Sequence, residues 1–171
     1  LAKCLVDRPQ DIDLELIAFV AGLQVRDAPV DRGEASLVGY GRKGIITVAP
    51  GVSIERRRFS IAHEVGHWEQ HRGQSFSCRI EERALDKAAK TKEREADDYA
   101  SSLMMPTNLF REAIAGCRSG ISLAVISELG ATFKASFPAT AIRFVELSGE
   151  PVALIFNGAG NARWWWSRSK R

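Results

Sequence analysis

His63-Glu64-Val65-Gly66-His67 reads His-Glu-x-x-His. On a helix, residues four apart share a face, so His63 and His67 can both point at one metal ion. Glu64 sits one step round the helix, placed to hold a water against that metal. The chemistry needs these types: two neutral imidazoles as ligands and one carboxylate as proton acceptor. All three histidines of the chain, at 63, 67 and 71, fall in this stretch. Ser53 is the expected N-cap of the helix, Glu55 lies in its first turn, and the helix should run to about residue 70. Ile54, Ile61, Ala62 and Val65 supply its expected apolar stripe, and Arg56-Arg57-Arg58 a solvated face. Gly66 in mid-helix costs about 1 kcal/mol relative to alanine; a small residue there could allow a close approach of another backbone, or be accidental.

Two histidines do not complete a zinc site. A third protein ligand is needed, with the fourth position left for water. His71 continues the line, but a helix rises about 1.5 Å per residue, so His71 lies about 12 Å along from His63. One ion about 2 Å from each donor cannot bridge that span. His71 is left to orient a neighbouring group or to cap the helix. A histidine six residues beyond the second would fall on Gly73, so that class of site is excluded. Glu95 is the leading candidate. It lies on a following helix among apolar residues that would press the two helices together, where a buried carboxylate must be paired or ligated. Glu93 is the rival, and Cys78 would give a two-histidine, one-cysteine site. Asp97 and Asp98 are candidates for holding an imidazole from behind, Asp98 being carried forward with Tyr99, His71 and Arg143 as groups to inspect near the reacting atoms.

The rest of the chain fits one domain with a real core: 171 residues with an ordinary hydrophobic fraction. A net charge of +3 does not by itself argue for nucleic acid. Three scattered cysteines, Cys4, Cys78 and Cys117, do not make a disulfide framework and point to a reducing compartment. No apolar run is long enough for a membrane span, and no signal peptide is visible. The chain opens at Leu1 rather than Met, so a trimmed upstream segment stays open. Residues 11–22 read as a helix capped by Asp11, residues 23–30 as extended, and residues 37–40 and 45–49 as a hairpin about Gly41-Arg42-Lys43-Gly44. If residues 45–49 lie at the sheet edge, the position on which a substrate-binding expectation rests, an extended substrate could add there as one more strand; the competing view is an interior strand paired on both sides. Helical character returns from Glu81, certainly by Thr91, and ends at Pro106. Further helices are expected behind Thr107, Ser122 (with Leu123 and Ile126 inward) and Ser136. Two strand-like runs, 152–156 and 162–166, flank the turn Asn157-Gly158-Ala159-Gly160-Asn161, with Trp164, Trp165 and Trp166 at its far side.

Two longer patterns carry a resemblance. Phe59-Ser60-Ile61-Ala62-His63-Glu64-Val65-Gly66-His67 is followed by Glu93-x-Glu95-Ala96-x-x-Tyr99-Ala100-x-x-Leu103-Met104-Met105-Pro106. Together with Ala139-Thr140-Ala141-Ile142-Arg143 and the tail hairpin, they resemble the ImmA/IrrE metallopeptidases over most of the chain, from about Asp11 to Trp166. The first pattern is shared with many zinc peptidases; the second is far more specific. The resemblance implies a gluzincin-type, zincin-like α+β fold: a small antiparallel or mixed sheet, an active-site helix, a helical C-terminal half and a C-terminal β-hairpin. Residues 11–105 would carry the metal site and 106–171 the helical part and tail.

It further implies Zn²⁺, or another divalent ion such as Mn²⁺, held by His63, His67 and the glutamate directly before the alanine, Glu95, with Glu64 as the catalytic base. The family usually has Phe where this chain has Tyr99. The implied activity is metal-dependent endopeptidase cleavage of a helix-turn-helix repressor in a bacterial or phage-encoded cytoplasmic setting, without direct nucleic-acid or membrane binding by this chain. The competing readings are a non-catalytic module that sequesters a repressor or toxin partner, against which an intact Glu64 argues, and a small-amide hydrolase using Cys78. A Cys78 thiolate at the open metal position would hold the enzyme latent.

Overall fold

The computed structural model describes residues 7–31, 33–71, 87–117, 122–149, 151–156 and 165–168. The expectations for Cys78, for the start of a helix at Glu81 and for the 157–161 turn lie outside them. The chain forms two compact units, Leu1–Met104 and Met105–Arg171.

In the first unit a 3-10 turn, Pro9–Asp11, leads into helix α1, Leu14–Val20. The cap is Asp13, not Asp11: its side chain accepts from the backbone N–H groups of Glu15 and Leu16, both at 3.0 Å. Pro9 explains the shift, since the proline-started turn takes up Asp11 before the α-helix begins. Three strands follow: β1 (Leu23–Asp27), β2 (Ala35–Tyr40) and β3 (Lys43–Val48). β2 and β3 form the expected hairpin, with Tyr40 opposite Lys43 and Ala35 opposite Val48.

β1 pairs parallel with β3, Leu23 beside Gly44 and Asp27 beside Val48, so the order is β1-β3-β2. β3 is therefore the central strand, and the expected edge position of residues 45–49 is overturned. Burial agrees: Ile46 and Val48 are fully buried, whereas Val38 and Tyr40 on β2 are exposed. A parallel partner arriving from β1, some twenty residues upstream, leaves no mark in the local alternation of β3.

Helix α2, Ile54–Gln70, crosses this sheet. Ser53 caps it, accepting from Arg56 N–H at 3.3 Å; a cap of this kind contributes about 1 kcal/mol. Ile61, Ala62, Val65 and Trp68 are its buried apolar side, while Ile54, expected in that stripe, is exposed at the first position of the helix. Trp68 seats the helix: its indole N–H donates to the Ala21 carbonyl at 2.9 Å, and its ring lies where a Cβ on Gly39 would be. The three arginines are not a plain solvated face. Arg56 pairs with Glu34, Arg57 bridges Glu15 and Asp27, and Arg58 donates to the Ile12 carbonyl at 3.1 Å. They tie α2 to α1, β1 and the loop before β2.

Helix α3, Lys87–Met104, lies along α2. Ala96, Ala100 and Met104 are buried on it at spacings of four.

The second unit holds α4 (Thr107–Gly116), α5 (Leu123–Phe133), α6 (Phe137–Leu147) and the antiparallel pair β4 (Ala153–Phe156) and β5 (Trp165–Arg168). Pro106, not Thr107, is the N-cap residue of α4. Ser122 and Ser136 cap α5 and α6 as expected. Ile126 is buried but Leu123, expected inward, is exposed at the first position of its helix. The rings of Phe110 and Phe133 meet at a tilt, centroids 5.1 Å apart, in the core of this unit. Arg143 donates twice to the Met105 carbonyl, at 3.0 and 3.1 Å, and to Thr107 Oγ1 at 3.2 Å.

The central place of β3 makes a test. Proline at Ile46 or Thr47 removes a ladder donor in a strand paired on both sides, a place where proline is not accommodated. Ile46→Pro is expected to abolish the cooperative thermal melt followed by circular dichroism. A variant that still melted cooperatively near the parent temperature would show that β3 tolerates a lost pairing.

Candidate metal centre

The site forms where α2 and α3 touch. Gly66 permits the contact. A Cβ there would stand 3.1 Å from the Ala96 carbonyl oxygen, 3.2 Å from Ala96 Cα and 3.2 Å from Tyr99 Cβ. Two of those neighbours are backbone and cannot swing aside. With Ala96 and Ala100 opposite, the helices approach closely enough for a glutamate on α3 to reach imidazoles on α2.

That glutamate is Glu93. The Nε2 atoms of His63 and His67 lie 3.0 Å apart. Glu93 Oε2 stands 3.4 Å from His63 Nε2, and Oε1 stands 3.5 Å from His67 Nε2. Zinc bonds of about 2.0–2.1 Å at tetrahedral angles put donor atoms about 3.3 Å apart. The three observed separations bracket that value, and two nitrogens with one carboxylate are a donor set zinc accepts, so the residues fit the ion. Glu95, the expected third ligand, is not brought to the histidine pair. Its carboxylate lies 2.9 Å from His71 Nε2 and is about half exposed, against about a quarter for Glu93.

The physical reason is angular. Successive helix residues are about 100° apart. Glu95 is next to the buried Ala96 in sequence but a quarter-turn off its face, whereas Glu93, three residues back, lies on that face.

Of the two aspartates expected as candidates for holding an imidazole from behind, the structure brings Asp97 to the site and not Asp98, the one carried forward. Asp97 Oδ1 holds His63 Nδ1 at 2.9 Å. Asp98 lies on the exposed side, 4.0 Å from Arg94. The signal for Asp97 was legible: it is four residues from Glu93, so both carboxylates face α2 together. The Glu64 carboxyl is 5% exposed, and its charge is felt at His63. Burial works against a charge on His63, but the Asp97 and Glu93 hydrogen bonds and the Glu64 charge outweigh it and push the imidazole up to about 9. The surroundings therefore favour positive charge at this point.

Tyr99 packs its Cβ on Gly66, and burial, with the Glu69 charge, raises its phenol, which stays protonated. His71 closes α2, its N–H donating to the His67 carbonyl at 2.9 Å. The Arg143 guanidinium is engaged within the second unit.

The profile described as Peptidase M78, IrrE N-terminal-like domain, matches residues 20–145. The chain belongs to this family. The match takes in α2 and α3 and every side chain of the histidine–glutamate cluster. A solved structure, a Mycobacterium tuberculosis transcriptional regulator, shares the fold with this IrrE-like domain at a TM-score of 0.64 and 18% identity. The likeness covers 94% of this chain and 49% of that one, so the domain spans about half the length of that regulator. No curated protein matches the sequence. Among the described residues no helix is long and apolar enough to cross a membrane.

Alanine is a better helix former than glycine by about 1 kcal/mol, so an open position 66 would gain from the change. The crowding predicts the reverse. Gly66→Ala is expected to lose about 1–3 kcal/mol and to weaken zinc retention as α3 is pushed away. Thermal melts with and without zinc measure both, and a variant more stable than the parent would show that the helices have room.

Proposed function

We propose that the chain is a zinc-dependent endopeptidase, with His63, His67 and Glu93 as the metal ligands and Glu64 as the general base. The observation that carries the reading is the convergence of those three donors at zinc spacing beside a buried Glu64. When bound, zinc supplies a polarised scissile carbonyl and an acidified water. The chain's own residues do the rest. Glu64 accepts the proton of the attacking water and passes it to the leaving amine nitrogen. Asp97 accepts from His63 Nδ1–H, which leaves Nε2 as the lone-pair nitrogen and fixes the ring. Enclosure of Glu64 and His67 excludes bulk water from the side of the site that α2 forms.

A sequestering module has no use for a buried glutamate, 5% exposed, beside the four further acidic or metal-binding side chains His63, His67, Glu93 and Asp97, so the enzyme reading is preferred. The substrate we propose is a helix-turn-helix repressor or a related regulatory protein, cut in a loop or transiently opened segment in a cytoplasmic setting. Membership of the IrrE-like family supports the protein substrate, and the likeness to a mycobacterial transcriptional regulator supports a regulatory setting.

Two substitutions separate the roles. Glu64→Gln is expected to keep zinc and to lower, by about 10²–10⁴-fold, cleavage of a purified helix-turn-helix repressor that the parent chain cuts. Glu93→Ala is expected to lose both zinc and cleavage. Elemental analysis and gel assay of the purified full chain check this. Undiminished cleavage by Glu64→Gln would remove the proposed base, and full zinc in Glu93→Ala would remove the proposed ligand.

A further inference from the structure

The two histidine donors are held from behind in different ways. His63 meets the Asp97 carboxylate directly. His67, only 2% exposed, has its Nδ1 3.1 Å from the Nδ1 of His71. His71, 5% exposed, has its Nε2 2.9 Å from Glu95 Oε2. The line His67–His71–Glu95 thus runs from the enclosed wall of the metal centre to the surface.

We propose that His71 and Glu95 are positioning residues that fix the tautomer and orientation of the His67 ligand. The inference rests on the metal centre proposed above. Proton bookkeeping gives the line one direction. His67 Nε2 must keep its lone pair to bind a metal, so the neutral ring carries its hydrogen on Nδ1. Two nitrogens in a hydrogen bond need one N–H and one lone pair, so His71 Nδ1 accepts. Neutral His71 then carries its own hydrogen on Nε2 and donates it to Glu95.

The opposite direction would place a hydrogen on His67 Nε2 and disable it as a ligand. An ionised carboxylate only accepts, so Glu95 at the outer end selects the productive direction for both rings. No change of protonation is involved. The arrangement also keeps the carboxylate charge half in water while its orienting effect reaches the buried ring through a neutral imidazole, which avoids desolvating a second charge beside His67.

The test measures zinc affinity of the full chain by chelator competition, with the visible absorption of the cobalt(II) form as a second readout. His71→Ala is expected to weaken zinc about 10–100-fold, the usual effect of removing a group that orients a metal-bound histidine. Glu95→Ala is expected to weaken it less, about several-fold, because His71 remains but loses its fixed tautomer. His71→Asn should restore most of the affinity, since its Oδ1 stands about where the imidazole Nδ1 did and can accept from His67. The shorter amide does not reach Glu95, so adding Glu95→Ala to His71→Asn should change nothing further.

A merely structural role for His71 predicts otherwise: affinity would follow the melting temperature of the metal-free variants, and Glu95→Ala would cost the same in both backgrounds. Either pattern overturns the relay, as does parent affinity in His71→Ala. His63→Ala is the separate control. If the parent binds no zinc, or His63→Ala binds as the parent does, the metal centre itself is misassigned and the relay falls with it. If His63→Ala loses zinc while the His71 and Glu95 variants keep it, the relay alone is wrong.

Discussion

The distance between α2 and α3 at Gly66 governs this fold. Packed helices ordinarily keep their axes about 8–10 Å apart, with side chains between them. At this crossing the chain puts a glycine on one helix and alanines on the other, and the contact becomes backbone against backbone. Only then does a side chain as short as Glu93 meet two imidazoles across the gap. The other side of α2 is fixed just as closely, with the Trp68 ring on Gly39 of β2 and the arginine ties to α1 and β1. The helix is thus held between a sheet that sets its place and a second helix that completes the histidine–glutamate cluster.

Much of this was legible in the sequence because it is local. Ser53, Ser122 and Ser136 signal helix starts by side chains that bond within their own first turn. The His-Glu-x-x-His spacing needs only helix geometry to become a pair of converging nitrogens. What was not legible depends on angle or on distant pairing. Glu95 follows the same chain as Ala96 but not the same face, and the difference of two residues between it and Glu93 is a rotation of about 200°. The central position of β3 comes from β1, whose parallel approach cannot be inferred from a hairpin that is self-sufficient in sequence. Ile54 and Leu123 are apolar at the first positions of their helices, where the chain has not yet turned onto the core, so their hydrophobicity misleads about their exposure.

The electrostatic character of the site follows from what is gathered there. Glu64, Glu93 and Asp97 all act on His63, and the sum of their effects exceeds the penalty of burying a charged ring. A cluster of three carboxylates in a partly enclosed place is unfavourable unless a cation is near. The same residues that would ligate or orient a divalent ion therefore make its charge welcome, without any contribution from the weakly basic surface of the molecule as a whole.

The unequal enclosure of the two histidines bears on how an ion would come and go. His63 is 15% exposed and is backed by Asp97, itself more than half exposed, whereas His67 is sealed at 2% and backed by a buried ring. Water and small chelators would meet a metal bond at His63 before one at His67. Ligand exchange would then proceed from one side, with His63 released early and His67 retained to the end. An ion arriving by the reverse route would be handed inward from the wet rim, and the rate of loading would be set by the outer histidine while the depth of the thermodynamic well would be set by the inner one.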